Sequence, residues 1–145
     1  VLWNGACHVH EQFSVEQLVS LKKQHPEAKV LAHPECKNVV LMLADYIGST
    51  QALLNYATES NDTTFLIATE SGIIHEMQKR NPSKTFIPIP PVYSTCGCNN
   101  CQYMRLNTLE KIYDCLKNET PEILVDEAIR VKAVKPILKM LEMSK

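Results

Sequence analysis

Hydrophobic and polar residues follow two alternating patterns along this chain. Short, mostly apolar runs are typical of buried strands, and apolar residues three and four positions apart are typical of helices. The predicted strands are 29–32, 64–69, 85–89 and 122–125, and the predicted helices are 14–24, 36–46, 51–59, 73–80, 106–117 and a last helix that begins after Asp126. Strands separated by helices imply parallel βαβ units, so we expect an α/β fold of three layers, αβα, around a short parallel sheet.

Several loops of this predicted fold are candidate binding sites. Ligands of parallel sheets bind at the carboxyl ends of the strands, beside helix N-termini. The loops that follow predicted strands are 33–36, 69–72 and 88–101, and the turn 48–50 begins a further helix. Ser14 and Gln17 have the spacing of a capping box, and Ser49 or Thr50 is expected to cap helix 51–59.

The composition narrows the class of protein. The chain has 145 residues, of which 45% are hydrophobic and 21% charged, and its formal net charge is -1. This balance gives no electrostatic reason to expect a nucleic-acid partner. No apolar run approaches the roughly 18 residues of a membrane helix, and no signal-peptide pattern is present. We therefore expect a cytoplasmic protein that contacts neither nucleic acid nor membrane.

The cysteines are the most informative residues for function. Three of the six lie in one short segment, Cys96-Gly97-Cys98-Asn99-Asn100-Cys101. In a reducing compartment such a cluster indicates metal binding or thiol chemistry more often than disulfides. The CxCxxC spacing differs from the paired motifs of zinc sites and from the successive CxxC steps of ferredoxins. The residues favour a metal or cluster bound by at least one of these thiols, and a flexible loop that simply contains them is the alternative.

Cys7 is a second candidate metal ligand, in the segment 7–11 that also contains His8 and His10. If this segment is extended, the two histidines point to opposite faces, which favours Cys7 over them as the ligand. Cys115 is predicted to lie mid-helix and to pack in the core.

Two loops carry groups suited to catalysis or anion binding. His33 and Glu35 follow a predicted strand, and a histidine beside a carboxylate suits general acid–base catalysis, although a structural turn explains the motif equally well. Ser49 and Thr50 offer hydroxyls and backbone N–H groups that suit a phosphate or carboxylate, although helix capping alone is the more common role.

Taken together, these segments resemble the A-type quinolinate synthase family of de novo NAD biosynthesis. The matching segments occur in the family's order: 5–11 (GACHVHE), 33–36 (HPEC), 48–50 (GST), 68–73 (ATESGI), 98–104 (CNNCQYM) and 136–141 (PILKML). The resemblance implies a transferase that condenses iminoaspartate with dihydroxyacetone phosphate and releases phosphate and water to form quinolinate. It also implies a functional partner, L-aspartate oxidase or aspartate dehydrogenase, that supplies the imine.

The resemblance further implies a [4Fe–4S] cluster held by three cysteines, with one iron left open as a Lewis acid. Cys7 and Cys101 match two of these ligands, and the third lies outside this chain. Cys36, Cys96 and Cys98 match no ligand.

The resemblance also implies roles for the loop at 33–36 and the turn at 48–50. His33 and Glu35 match the substrate-contacting, acid–base pair of the family. Ser49 and Thr50 match residues that hold the phosphate or carboxylate of the bound intermediate.

Family members are about twice as long and contain three similar α/β domains around a pseudo-threefold axis. On that template, residues 1–8 end the middle domain, 9–100 form the last complete domain, and 101–145 complete the first domain, whose N-terminal part is absent. We therefore expect a C-terminal portion that is inactive by itself. The alternatives are a small zinc-binding or thiol-redox module that uses Cys96, Cys98 and Cys101, and a non-catalytic α/β interaction domain.

Overall fold

A computed structural model of the chain describes residues 5–92 and 99–144. The chain divides into two compact units, the first reaching to Arg105 and the second beginning at Leu106. The first unit contains the helices α1 (Val15–Gln24), α2 (Asn38–Leu41), α3 (Thr50–Glu59) and α4 (Ile73–Arg80) and the strands β1 (Lys29–Ala32), β2 (Tyr46–Ile47), β3 (Thr64–Ala68) and β4 (Thr85–Pro88). The predicted αβ alternation is confirmed there.

The four strands form one parallel sheet in the order β2-β1-β3-β4. The chain leaves β1 towards β2 on one side, then crosses to β3 on the other side and continues outward to β4. The direction of winding therefore reverses between β1 and β3, and such a reversal opens a crevice at the carboxyl ends of the two strands.

Helices cover both faces of this sheet, as the three-layer prediction required. Alternate side chains of each strand point to opposite faces. Val30 and Leu66 pack in a core with α1 and α2, while Leu31 and Phe65 pack in a second core with α3 and α4. The near-continuous apolar runs of the central strands follow from this burial on both sides.

One predicted helix is wrong in extent. The segment 36–46 forms only the four-residue α2, and β2 follows where helix was expected. Asp45 explains the difference, because its backbone N–H donates to Val30 O and its carboxylate accepts from the Val30 N–H. These bonds to β1 fix the chain as an extra edge strand and end the helical conformation.

The second unit contains α5 (Leu109–Asn118) and α6 (Glu127–Met143), which confirm the two predicted helices. Thr108 and Asp126 cap them by accepting hydrogen bonds from first-turn N–H groups. The strand predicted at 122–125 is wrong, since these residues form neither helix nor strand. Cys115 is exposed in this chain and not packed as expected.

Across residues 5–92 and 99–144, no helix is both long and apolar enough to cross a bilayer.

Candidate functional site at the carboxyl edge of the sheet

Three of the loops singled out in the sequence meet at the carboxyl edge of the sheet. β1 leads into His33 and Glu35, β2 leads into the turn at Ser49, and β3 leads into Thr69 and Glu70. Because all strands are parallel, these loops lie at one edge, and the loops after β1 and β3 border the crevice where the winding reverses.

His33 and Glu35 lie side by side in the loop after β1. The Glu35 backbone N–H donates to His33 Nδ1 at 3.3 Å, and the Glu35 carboxylate is 3.8 Å from the same nitrogen. With Nδ1 as an acceptor, a neutral His33 ring carries its proton on Nε2. The Glu35 side chain is 56% exposed and that of His33 19% exposed. The pair thus presents a carboxylate to solvent beside a histidine that can donate from Nε2.

His10 connects this pair to the loop after β3. Its Nδ1 is 3.0 Å from Glu35 Oε2, and its Nε2 is 3.1 Å from Thr69 Oγ1. The ring also stacks on that of His33, with centroids 4.1 Å apart and planes 6° apart. Burial lowers the pKa of His10 from its ordinary value, and the nearby His33 lowers it further, while Glu35 and Glu70 act in the opposite direction.

The position of His10 differs from the expectation based on an extended segment. Residues 10–12 form a 3-10 turn, and His10 is 8% exposed while His8 is exposed. Its three contacts reach residues 23 to 59 positions away in the chain, so no local motif could have identified them. The only signal in the sequence was the proximity of His10 to Cys7.

Cys7 borders the same group of side chains. A ligand atom from each of Cys7, His10 and Glu35 lies within 4.8 Å of the other two. The Cys7 thiol is free and partly buried. The site therefore places a sulfur donor directly beside the carboxylate of the acid–base pair.

Glu70 holds the backbone at Cys101. Its Oε1 accepts from the Cys101 N–H at 3.3 Å, and its Oε2 accepts from the Gly72 N–H at 2.7 Å. Arg105 lies 3.9 Å from the same carboxylate and donates to Asn100 Oδ1 at 2.7 Å. These contacts hold the segment 100–105 against the loop after β3.

The segments that carry Cys7 and Cys101 lie next to each other. The rings of His8 and Tyr103 meet edge to face, with centroids 5.6 Å apart. His8 is adjacent to Cys7 in the chain, and Tyr103 is two residues after Cys101. Both thiols are free and half-buried.

Cys36 has a different environment. Its thiol is buried and donates to Ala68 O at 3.3 Å. Burial raises its pKa from 9.0 to about 11. Because a metal binds the thiolate, this environment disfavours Cys36 as a ligand. Cys96 and Cys98 lie outside the described residues.

Ser49 caps α3, and its Oγ accepts from the Ala52 N–H at 3.3 Å. The turn begins with Gly48, where a Cβ would meet the Ala52 Cβ at 2.9 Å, so glycine permits the close approach. Since β2 pairs with β1, Ser49 and Thr50 stand at the same edge of the sheet as His33. The unsatisfied N–H groups at the start of α3 suit an anion there.

Comparison with known proteins places these residues in a family context. The family described as "Quinolinate synthetase A protein" matches residues 1–142. The chain is 58% identical over 145 residues to the quinolinate synthase of Chloroherpeton thalassium and 60% identical over 144 residues to that of Microcystis aeruginosa. These matches cover 100% and 99% of the chain but 45% of each relative. The chain thus spans less than half the length of the curated relatives that it matches.

Proposed function

Because the chain belongs to the quinolinate synthetase A family, we propose that it is the C-terminal portion of a quinolinate synthase. The reaction condenses iminoaspartate with dihydroxyacetone phosphate and releases phosphate and water. The observation that carries the proposal is the position of Cys7, whose ligand atom lies within 4.8 Å of those of Glu35 and His10. A thiol suited to metal binding and a histidine–carboxylate pair suited to acid–base catalysis thus lie close together at the crevice between β1 and β3.

His33 and Glu35 are the proposed catalytic residues. Condensation and loss of water both require a proton to leave one atom of the substrate and another to reach a departing oxygen. The exposed Glu35 carboxylate is placed to accept a proton, and His33 can donate from Nε2 because its Nδ1 already accepts from the Glu35 N–H. Because the Glu35 carboxylate lies beside His33 and is open to solvent, it is also suited to contact a substrate hydroxyl.

Ser49 and Thr50 are the proposed anion-binding residues. They begin α3, where free N–H groups and the helix dipole favour a phosphate or carboxylate. Both substrates are anionic, and β2 places this helix start beside the loop that carries His33. An anion held there would orient the substrate towards the acid–base pair.

Cys7 and Cys101 are the proposed ligands of a [4Fe–4S] cluster, with the third cysteine supplied by sequence outside this chain. Both thiols are free, and their two segments are in contact through His8 and Tyr103, which is compatible with a metal group bound by both. Cys36 is less suited as a ligand, because its thiol is buried and hydrogen-bonded. When bound, the cluster supplies a Lewis acid for a substrate hydroxyl or carboxylate. Glu70 holds the backbone of Cys101 by accepting a hydrogen bond from its N–H.

The domain proposal follows the family pattern: 1–8 end the middle domain, 9–100 form the last complete domain, and 101–145 complete the first. The exposure of the apolar side chains after Arg105 supports it, since such surfaces need cover in a stable protein.

We place the protein in the cytoplasm, where L-aspartate oxidase or aspartate dehydrogenase would supply the imine. On this proposal the isolated chain is inactive, because it holds two of the three cluster ligands.

The experiment is anaerobic quinolinate synthesis by the full-length protein with Glu35→Gln. We expect kcat to fall by about 100-fold or more, because the amide cannot accept the proton, while iron content stays unchanged. Glu59→Gln, on the exposed end of α3, is the matched control and should retain activity. Unchanged turnover in the Glu35 variant, or no quinolinate from the unsubstituted protein with a full cluster, would contradict the proposal.

A further inference from the structure

His10 joins the two loops that border the crevice. It bonds to Glu35 in the loop after β1 at 3.0 Å and to Thr69 in the loop after β3 at 3.1 Å. Its ring lies flat on that of His33, 4.1 Å away between centroids. One buried side chain thereby contacts both members of the proposed acid–base pair and links them to the loop after the neighbouring strand β3.

The hydrogen-bonding capacity of the partners fixes the direction of both bonds. An ionised carboxylate only accepts, so His10 Nδ1 must carry a proton and donate to Glu35. In the neutral ring Nε2 is then an acceptor, and the Thr69 hydroxyl donates to it. The Glu35 carboxylate therefore sets the tautomer of His10, and the Thr69 hydroxyl complements it by donating to Nε2.

His10 is buried, whereas the Glu35 side chain is open to solvent. His10 is 8% exposed, and both of its ring nitrogens already have partners. Thr69 is fully buried. Without the Nδ1–H bond, the exposed Glu35 side chain would be free to change rotamer, and small displacements of a catalytic group reduce rates strongly.

We infer that His10 is a positioning residue, which holds the Glu35 carboxylate and the His33 ring in their working orientation, and that the Thr69 hydroxyl holds the His10 ring by donating to its Nε2. The inference rests on the proposed catalytic roles of His33 and Glu35. No proton or group passes to His10 in the reaction. Its contribution should appear in kcat more than in KM, since Ser49 and Thr50 are the residues proposed to hold the anionic group of the substrate.

The kinetic test compares Thr69→Val with Thr69→Ser in the full-length protein. Valine keeps the shape of threonine but removes the hydroxyl, while serine keeps the hydroxyl. We expect kcat to fall by about 10-fold in Thr69→Val and by about 100-fold in His10→Leu, with KM for both substrates changed by less than about 3-fold. Thr69→Ser and His10→Gln, which retain a donor and an acceptor, should recover much of the rate.

Two controls separate positioning from other effects. Iron content should be unchanged in every variant, and His75→Gln, on the exposed face of α4, should match the unsubstituted protein. A rise in KM with unchanged kcat, equal rates for Thr69→Val and Thr69→Ser, or loss of iron in His10→Leu would overturn the inference.

A spectroscopic readout tests the same contacts without turnover. In full-length protein labelled with 15N-histidine, NMR should show His10 as the Nδ1–H tautomer, and Thr69→Val should shift the Nε2 resonance because Nε2 loses its hydrogen bond. An Nε2–H tautomer would overturn the inference even in an active enzyme. If the cluster-loaded protein makes no quinolinate but His10 shows the Nδ1–H tautomer, the proposed function fails and the contacts stand.

Discussion

The two units of this chain reach their structure by different means. The first buries both faces of a parallel sheet, with Leu31 and Phe65 fully enclosed. In the second, none of the described residues 106–144 is buried, and Leu109 is 81% exposed. Over these described residues, the helices carry capping residues but enclose no core. The difference teaches that local sequence signals are sufficient to define helices, while a stable unit also requires a surface to pack against.

The largest expected difference between the two units is the loss of unfolding free energy when a large apolar side chain is replaced by alanine. Phe65 is fully buried and stacks on Phe86 with centroids 5.5 Å apart. Phe65→Ala should lower the free energy of unfolding by about 3–5 kcal/mol, while Leu109→Ala should change it by less than about 0.5 kcal/mol. Urea unfolding of the chain, followed by circular dichroism, measures both. Similar losses in the two variants would mean that the second unit has a core of its own.

Thiol reactivity offers a second comparison, between Cys36 and Cys115. Cys36 is buried with a pKa of about 11, and Cys115 is exposed. At pH 8 alkylation of Cys36 should be at least about 10-fold slower, because little thiolate is present and the reagent must reach a buried sulfur. The Cys36 rate should rise about tenfold per pH unit up to pH 10, since thiolate increases in that proportion below the pKa. Peptide mass spectrometry resolves the two sites, and equal rates in the folded chain would contradict the buried position.

Capping residues give the smallest expected difference. Ser14 accepts from the Gln17 N–H at the start of α1, and Asp126 accepts from two N–H groups at the start of α6. Ser14→Ala should lower the unfolding free energy of the first unit by about 1 kcal/mol. Asp126→Ala should lower helix content but leave the urea midpoint of that unit unchanged. A shift of that midpoint in the Asp126 variant would show that the two units unfold together.

Much of the fold was predictable from local signals, and the exceptions have tertiary causes. The capping role of Ser14 and the apolar run of β3 are local features, and both predictions are confirmed. β2 was missed because Asp45 bonds to β1, which overrides the helical pattern. The apolar residues at 122–125 resemble a strand, but a strand forms only beside a partner, and the described part of the second unit contains none.

The site shows the same limit. The strand-end position of His33 and Glu35 was predictable, since such loops meet at one edge of a parallel sheet. The role of His10 was not, because its partners are brought together only by folding. Whether Cys7 and Cys101 share a cluster stays a prediction, supported by the contact between His8 and Tyr103 beside them.

The most direct test of the central claim is the iron content of the full-length protein, purified anaerobically, in single cysteine variants. Cys7→Ser and Cys101→Ser should each lose iron, the brown absorbance near 400 nm and quinolinate synthesis, because each removes a proposed thiolate ligand. Cys36→Ser, Cys96→Ser and Cys98→Ser should keep the iron and the absorbance. Full iron in the Cys7 or Cys101 variant, or stoichiometric zinc without iron in the unsubstituted protein, would contradict the account.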